Sequence, residues 1–120
     1  MKHPRLLCLL FICVSAALLA QSNPVPLVYQ PLTPASVAPG HASFILTARG
    51  TDFVQGASIQ WNGTPLKTQF VSSHVLRAQV PAKIVAKSSS ASVTVNNPGV
   101  INSNVVYFSV RLPSSTVTFK

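Results

Sequence analysis

The sequence predicts an all-β fold, an antiparallel β-sandwich of about seven strands, and three observations lead to it. Apolar and polar residues alternate in short segments, which is the two-residue period of strands with one buried face. Turn residues separate these segments every 8–12 positions or so, as in sandwich folds. Glutamate is absent, and no stretch has the Ala, Leu, Glu and Lys composition of a stable helix.

The first 22 residues are predicted to be a secretory signal peptide that forms a helix ahead of the sandwich. Lys2 and Arg5 precede an apolar run of 15 residues, 6–20, which suits a signal sequence and is shorter than the roughly 20 residues of a membrane span. Cleavage is predicted either after Ala20 or after Ser22. We therefore expect a secreted or cell-surface protein without a membrane span after cleavage.

Both cysteines, Cys8 and Cys13, lie within this signal segment, so the mature chain must fold without a disulfide. Removing 22 of the 120 residues leaves 98, enough for one domain, predicted over 23–111 with a linker or tail at 112–120. Seven basic side chains and one acidic side chain, Asp52, give this part a net charge of +6. The basic residues are scattered in sequence and do not alternate with aromatic residues in a run, so no nucleic-acid partner is expected.

The first elements of the mature chain are extended. Four prolines in 24–34 exclude a helix and favour an edge strand that enters the domain. The sequence VAPG at 37–40 predicts a turn. The segment 42–50 is a predicted strand, and its inward residues are Phe44, Leu46 and Ala48.

The stretch RGTDFVQGASIQWNG, residues 49–63, predicts a turn, a strand and a hairpin. Ile59 and Trp61 share one face of the strand, which predicts that Trp61 packs in the core. Asn62-Gly63 is a strong signal for a type I′ turn, because both central positions require positive φ. The segment 64–73 is predicted to return alongside this strand.

The remaining segments repeat the same alternation. A strand over 74–81 ends at Pro81, and 82–90 is interpreted as a loop or one helical turn. Two further strands are predicted within 91–99 and 103–111. The inward residues of these three strands are Leu76, Ala78, Val80, Ala91, Val93, Val95, Val106, Phe108 and Val110.

The order of several short motifs resembles an IPT/TIG domain, which has an immunoglobulin-like fold, over about 25–110. The motifs are PLTP (31–34), FILTARGTDF (44–53), IQWNG (59–63), LRAQVP (76–81), ASVTVNNPG (91–99) and SNVVYFSV (103–110). The signal-like start and the VNNPG ending are most similar to copies in bacterial secreted and surface proteins. The resemblance implies that Gly50 leaves a strand, that Asp52 caps a bend and that Phe53 packs in the core. It supplies no catalytic residues to carry over, and the fold alone does not fix a function.

Enzymatic chemistry has little basis in this composition. Glycoside hydrolysis uses two carboxylates, and the chain has one acidic side chain. A zinc site or a catalytic triad would have to draw on His41, His74 and Asp52, whose spacing is irregular. We expect no catalytic residue, no cofactor and no metal site.

The sequence therefore predicts a non-enzymatic, secreted or cell-surface immunoglobulin-like module that mediates protein or surface interactions at the cell exterior. The unpaired edge near PLVYQP and the loops at 50–56, 71–75 and 96–104 are candidate contacts. One alternative is a carbohydrate-binding module, for which Trp61, Tyr29 and Tyr107 are the aromatic ligand-binding candidates. A second alternative is the front part of a longer modular extracellular protein.

Overall fold

The strands form two facing sheets. The structure is a computed structural model that describes residues 22–112. Its strands are β1 (Leu27–Val28), β2 (Ser36–Val37), β3 (Phe44–Thr51), β4 (Ser58–Trp61), β5 (Thr64–Pro65), β6 (Lys67–Ser72), β7 (Val75–Val80), β8 (Ser89–Asn96) and β9 (Val106–Val110), with one 3₁₀ turn at Ala82–Val85.

One sheet has the strand order β1-β3-β7-β6 and the other β2-β9-β8-β4-β5. All neighbouring strands are antiparallel except β2 and β9, which are parallel. The N-terminal segment therefore pairs first with one sheet and then with the other. This two-sheet arrangement confirms the all-β prediction and is that of an immunoglobulin-like sandwich. The described part has nine strands where seven were predicted, because β2 was not foreseen and the predicted strand over 64–73 is divided into β5 and β6.

Aromatic rings connect the two sheets in the core. The alternation predicted from sequence is confirmed, since the inward residues of β3, β7, β8 and β9 are buried, apart from Phe44, which is partly buried and packs against the core. The Trp61 ring centroid lies 5.2 Å from that of Phe108, and Phe44 stacks on Phe108 at 5.7 Å. Phe108 thus contacts an aromatic ring from its own sheet and one from the opposite sheet.

Two glycines explain the local chain path. A Cβ on Gly50 would overlap the carbonyl oxygen of Leu27, so glycine at this position allows β1 to pack closely on β3. Asn62 and Gly63 have φ values of 51° and 85°, which confirms the predicted Asn-Gly hairpin between β4 and β5.

The prediction of one returning strand over 64–73 is wrong. Pairing with β4 ends after β5, and the chain crosses to the other sheet as β6. The side chain of Thr68 explains the break, because its Oγ1 accepts the hydrogen bond of the Ile59 amide at 3.0 Å in place of a backbone carbonyl. The turn predicted at 37–40 also begins later, because Val37 belongs to β2 and is buried beside Val110.

Two asparagine amides fix the N-terminal segment to the β8–β9 loop. Asn97 is fully buried, and its Nδ2 donates to the carbonyl oxygens of Pro24 (2.8 Å) and Asp52 (2.7 Å). The Asn104 side chain accepts from the Val28 amide at 2.8 Å and donates to the Val28 carbonyl at 2.9 Å. These contacts hold three distant parts of the chain at one end of the sandwich.

The predicted signal helix over 1–22 falls, apart from Ser22, outside the described residues, as do residues 113–120 of the predicted tail. The boundaries 23–111 and 112–120 stay predictions.

Replacing Asn97 tests the importance of this buried amide. Asn97→Ala removes the donor to two carbonyls that then lack hydrogen bonds, and we expect a loss of about 2 kcal/mol in the free energy of unfolding. Urea denaturation measures it. The matched control is Asn102→Ala, which removes an amide from an exposed loop position and should stay within about 0.5 kcal/mol of wild type. Equal midpoints for the two variants would contradict a structural role for Asn97.

Candidate functional site

The three aromatic residues predicted to bind a ligand lie in three different environments. Trp61 points from β4 into the core, Tyr29 follows the edge strand β1, and Tyr107 points outward as the second residue of β9. The structure therefore does not bring them together into one site. Each defines a separate surface.

Trp61 forms part of a cleft beside the core. Its side chain is 5% exposed, which confirms the core assignment. Its remaining surface lines a cleft of about 790 Å³ between β5 and β6. The apolar residues around it are Trp61, Pro65, Leu66, Pro81, Ala82 and Ile84, and the polar ones include Asn62, Lys67, Gln79 and Lys83. A ligand in this cleft would contact only part of the indole.

Tyr107 lies on an uncharged polar face. It is 63% exposed, and the strand register places it opposite Ser92. No charged side chain occurs in any strand of the five-stranded sheet. The other outward residues on this face are Ser36, Ser58, Gln60, Ser90, Ser92, Thr94, Asn96 and Ser109. We call this surface the Tyr107 face.

Amide side chains at one end of the Tyr107 face are ordered by mutual hydrogen bonds. Asn96 Nδ2 donates to Asn102 Oδ1 at 2.9 Å, and Asn102 Nδ2 donates to Gln60 Oε1 at 3.3 Å. Each group still has hydrogen-bonding capacity toward solvent. The face therefore presents one aromatic ring and a set of hydroxyl and amide groups without a net charge.

Tyr29 lies on the outer face of the opposite sheet. It is 48% exposed, and its amide donates to the Arg49 carbonyl at 2.8 Å, which continues the pairing of β1 with β3. A shallow depression of about 520 Å³ crosses the same face and is lined in part by Ile45, Lys67 and Arg77. This surface is more charged than the Tyr107 face.

Residues 50–53, together with His74, have structural roles. Asp52 adopts a φ of 65°, and its carbonyl accepts from buried Asn97, while Phe53 packs in the core. His74 Nδ1 lies 2.9 Å from the Gly50 carbonyl oxygen, so this nitrogen donates the hydrogen bond. The predicted core position of Phe53 is thus confirmed. The prediction that Gly50 leaves the strand is wrong, because β3 continues to Thr51 and Gly50 pairs with Val28. The capping role expected of the Asp52 side chain stays a prediction.

Among residues 22–112, the structure places no three His, Cys, Asp or Glu side chains close enough to hold a metal ion together. No helix within the same range has the length and hydropathy needed to cross a membrane.

Replacing Trp61 tests its assignment to the core. Trp61→Ala removes the contact with Phe108, and we expect a loss of about 3–5 kcal/mol in the free energy of unfolding, measured by urea denaturation. Tyr107→Ala is the control, because an exposed side chain should change stability by less than about 0.5 kcal/mol. An unchanged urea midpoint for Trp61→Ala would overturn the assignment of this residue to the core.

Comparison with known proteins gives one match. No curated protein matches the chain. The sequence model of the IPT/TIG domain matches residues 24–110, which is most of the chain and spans all nine strands. The two-sheet topology agrees with this match. The chain belongs to the IPT/TIG domain family.

Proposed function

We propose that this chain is a non-enzymatic interaction module that acts at the cell exterior, secreted or held at the surface, and that it binds a partner with the Tyr107 face. IPT/TIG domains are immunoglobulin-like modules that typically mediate interactions. The observation that carries the proposal is the exposure of Tyr107, at 63%, on a sheet whose strands β4, β8 and β9 carry uncharged polar side chains at their other outward positions.

The physical argument rests on what an aromatic side chain gains on binding. A tyrosine ring offers a large apolar surface with few rotatable bonds, and its hydroxyl can hydrogen bond to a partner. Ser92 and Ser109 beside it are short, so a partner can approach the ring without displacing long side chains. Tyr107 is therefore suited to be the central contact, with the surrounding hydroxyl and amide groups as its polar rim.

A neutral carbohydrate is the second candidate partner, and the composition of the face favours it. Sugar rings stack their C–H faces on aromatic rings and exchange hydrogen bonds with hydroxyl and amide groups. The Tyr107 face supplies both kinds of group. The ordered amides of Gln60, Asn96 and Asn102 lie at one end, where they can select the orientation of a sugar chain.

The absence of catalysis is supported by the sequence as a whole. Asp52 is the one acidic side chain of the chain, and its exposed position on a structural turn offers no second carboxylate nearby. His74 is engaged with the Gly50 carbonyl through Nδ1. These residues are better explained by the fold than by a reaction.

Export is tested by expressing the full chain in a bacterial host and separating cytoplasm, envelope and medium. We expect a processed protein that begins after Ala20 or Ser22 and lies outside the cytoplasm, because residues 6–20 have the length of a signal sequence. A variant without residues 2–20 is the control and should stay in the cytoplasm. An unprocessed full-length chain confined to the cytoplasm would contradict export.

Partner binding is tested by placing a photo-crosslinking amino acid at Tyr107 in living cells that produce the protein naturally. We expect crosslinked products from position 107 and none from position 87, where Lys87 lies exposed after the 3₁₀ turn. Products at both positions, or at neither, would rule out the Tyr107 face as the interaction site.

Carbohydrate binding is tested by retention of the purified protein on insoluble neutral polysaccharides such as cellulose and chitin. If the partner is a glycan, Tyr107→Ala should lower retention at least about tenfold, because stacking on the ring is lost. Tyr29→Ala is the matched control on the opposite sheet and should retain binding. Equal retention of both variants would exclude the Tyr107 face as a carbohydrate site.

A further inference from the structure

The charged residues of the strands are confined to one surface. Within the nine strands, the charged side chains are Arg49 on β3, Lys67 on β6 and Arg77 on β7, all in the four-stranded sheet. All three are cationic, exposed and at outward positions of the alternation. The chain has one acidic side chain, so at least two of these cations lack an acidic side chain as partner.

The register places these cations on a diagonal line. Arg77 pairs with Thr47 on one side and Gln69 on the other, Arg49 pairs with Val75, and Lys67 pairs with Gln79. Each step from Arg49 to Arg77 and from Arg77 to Lys67 moves one strand across and two residues along. Such diagonal neighbours lie about 7–8 Å apart, so the three charges extend over roughly 15 Å.

An aromatic residue lies at one end of this line of cations, and the depression and the cleft lie at the other. At the β1 end, Tyr29 is cross-strand from Arg49. At the other end, Lys67 and Gln79 line both the shallow depression on the sheet and the cleft floored by Trp61, where Lys83 also lies. We call the line Tyr29, Arg49, Arg77, Lys67 and Lys83 the cationic track.

We propose that the cationic track binds an acidic polysaccharide, a linear glycan with carboxylate or sulfate groups along its chain. This site is separate from the Tyr107 face, because it lies on the opposite sheet and selects a charged ligand. Arginine pairs with a planar carboxylate, or with two oxygens of a tetrahedral sulfate, through two parallel hydrogen bonds, so Arg49 and Arg77 are suited to successive acidic sugars. Tyr29 offers a ring for stacking at the start of the track.

The groups between the cations favour a sugar chain over other polyanions. Thr47, Gln69 and Gln79 flank the charges and can donate to and accept from sugar hydroxyls. A membrane surface would gain little from these polar groups, and a predicted exported protein is separated from nucleic acid. The shallow, open depression accommodates a chain that lies along the surface, with no need for buried ends.

The test compares two double variants with the same change in net charge. Lys67→Gln/Arg77→Gln removes two charges from the track, and Lys87→Gln/Arg111→Gln removes two exposed charges elsewhere. The purified protein is titrated with polygalacturonate at low salt. We expect the track variant to bind at least about tenfold more weakly than wild type and the control variant to change less than about threefold.

Further titrations test which properties of the ligand and of the protein the binding requires. Methyl-esterified polygalacturonate lacks the charges and should not bind, and added NaCl should weaken binding by screening. As a single substitution, Arg77→Lys should keep part of the affinity for polygalacturonate that the single substitution Arg77→Gln loses, because lysine keeps the positive charge. Tyr107→Ala should bind polygalacturonate like wild type, so failure of this proposal and failure of the Tyr107 face are separable. Urea midpoints of all variants should match wild type, because the substituted side chains are exposed.

Three outcomes would overturn the proposal. If the two double variants weaken polygalacturonate binding equally, binding depends on the net charge and not on where the charges lie. Tighter track-dependent binding to polyglutamate would indicate an acidic protein partner. Tighter binding to duplex DNA or to vesicles with anionic phospholipid would assign the track to those polyanions.

Discussion

Phe108 packs against aromatic rings of both sheets in the core of this sandwich, and its ring centroid lies 5.2 Å from that of Trp61 in its own sheet. Residues 22–112 contain no cysteine, so no disulfide joins the sheets in this part and the interior depends on packing alone. Phe108 also stacks on Phe44 of the opposite sheet. Trp61 packs against this cluster, and the small part of its surface that stays exposed lines the cleft.

The sequence was most informative where one face of a strand had to be buried. Alternation identified the inward residues of β3, β7, β8 and β9, and the Asn62-Gly63 pair identified a hairpin, because both signals are local. The split between β5 and β6 was not foreseen, because it depends on the Thr68 hydroxyl reaching the Ile59 amide. The burial of Asn97 was also missed, since its partners Pro24 and Asp52 lie 73 and 45 residues away in sequence.

The candidate surfaces could not be located from the sequence for the same reason, because they combine residues that are distant in sequence. The sequence named three aromatic residues and assigned Trp61 to the core, but only the pairing of the strands shows that Tyr29 and Tyr107 face solvent on opposite sheets. The cations are scattered along the sequence and become a line only when β3, β7 and β6 are paired. The register therefore leaves the strands of one sheet without charged side chains and places three cations on the outer side of the other.

The Asn104 side chain has a consequence for how this protein behaves at high concentration. Its amide occupies both the N–H and the C=O of Val28, the groups that an edge strand would otherwise offer to another chain. The edge near PLVYQP was expected to be an open contact, yet an incoming strand would first have to displace Asn104. A side chain thus takes the place of a neighbouring strand at the β1 edge, which opposes polymerisation through that edge.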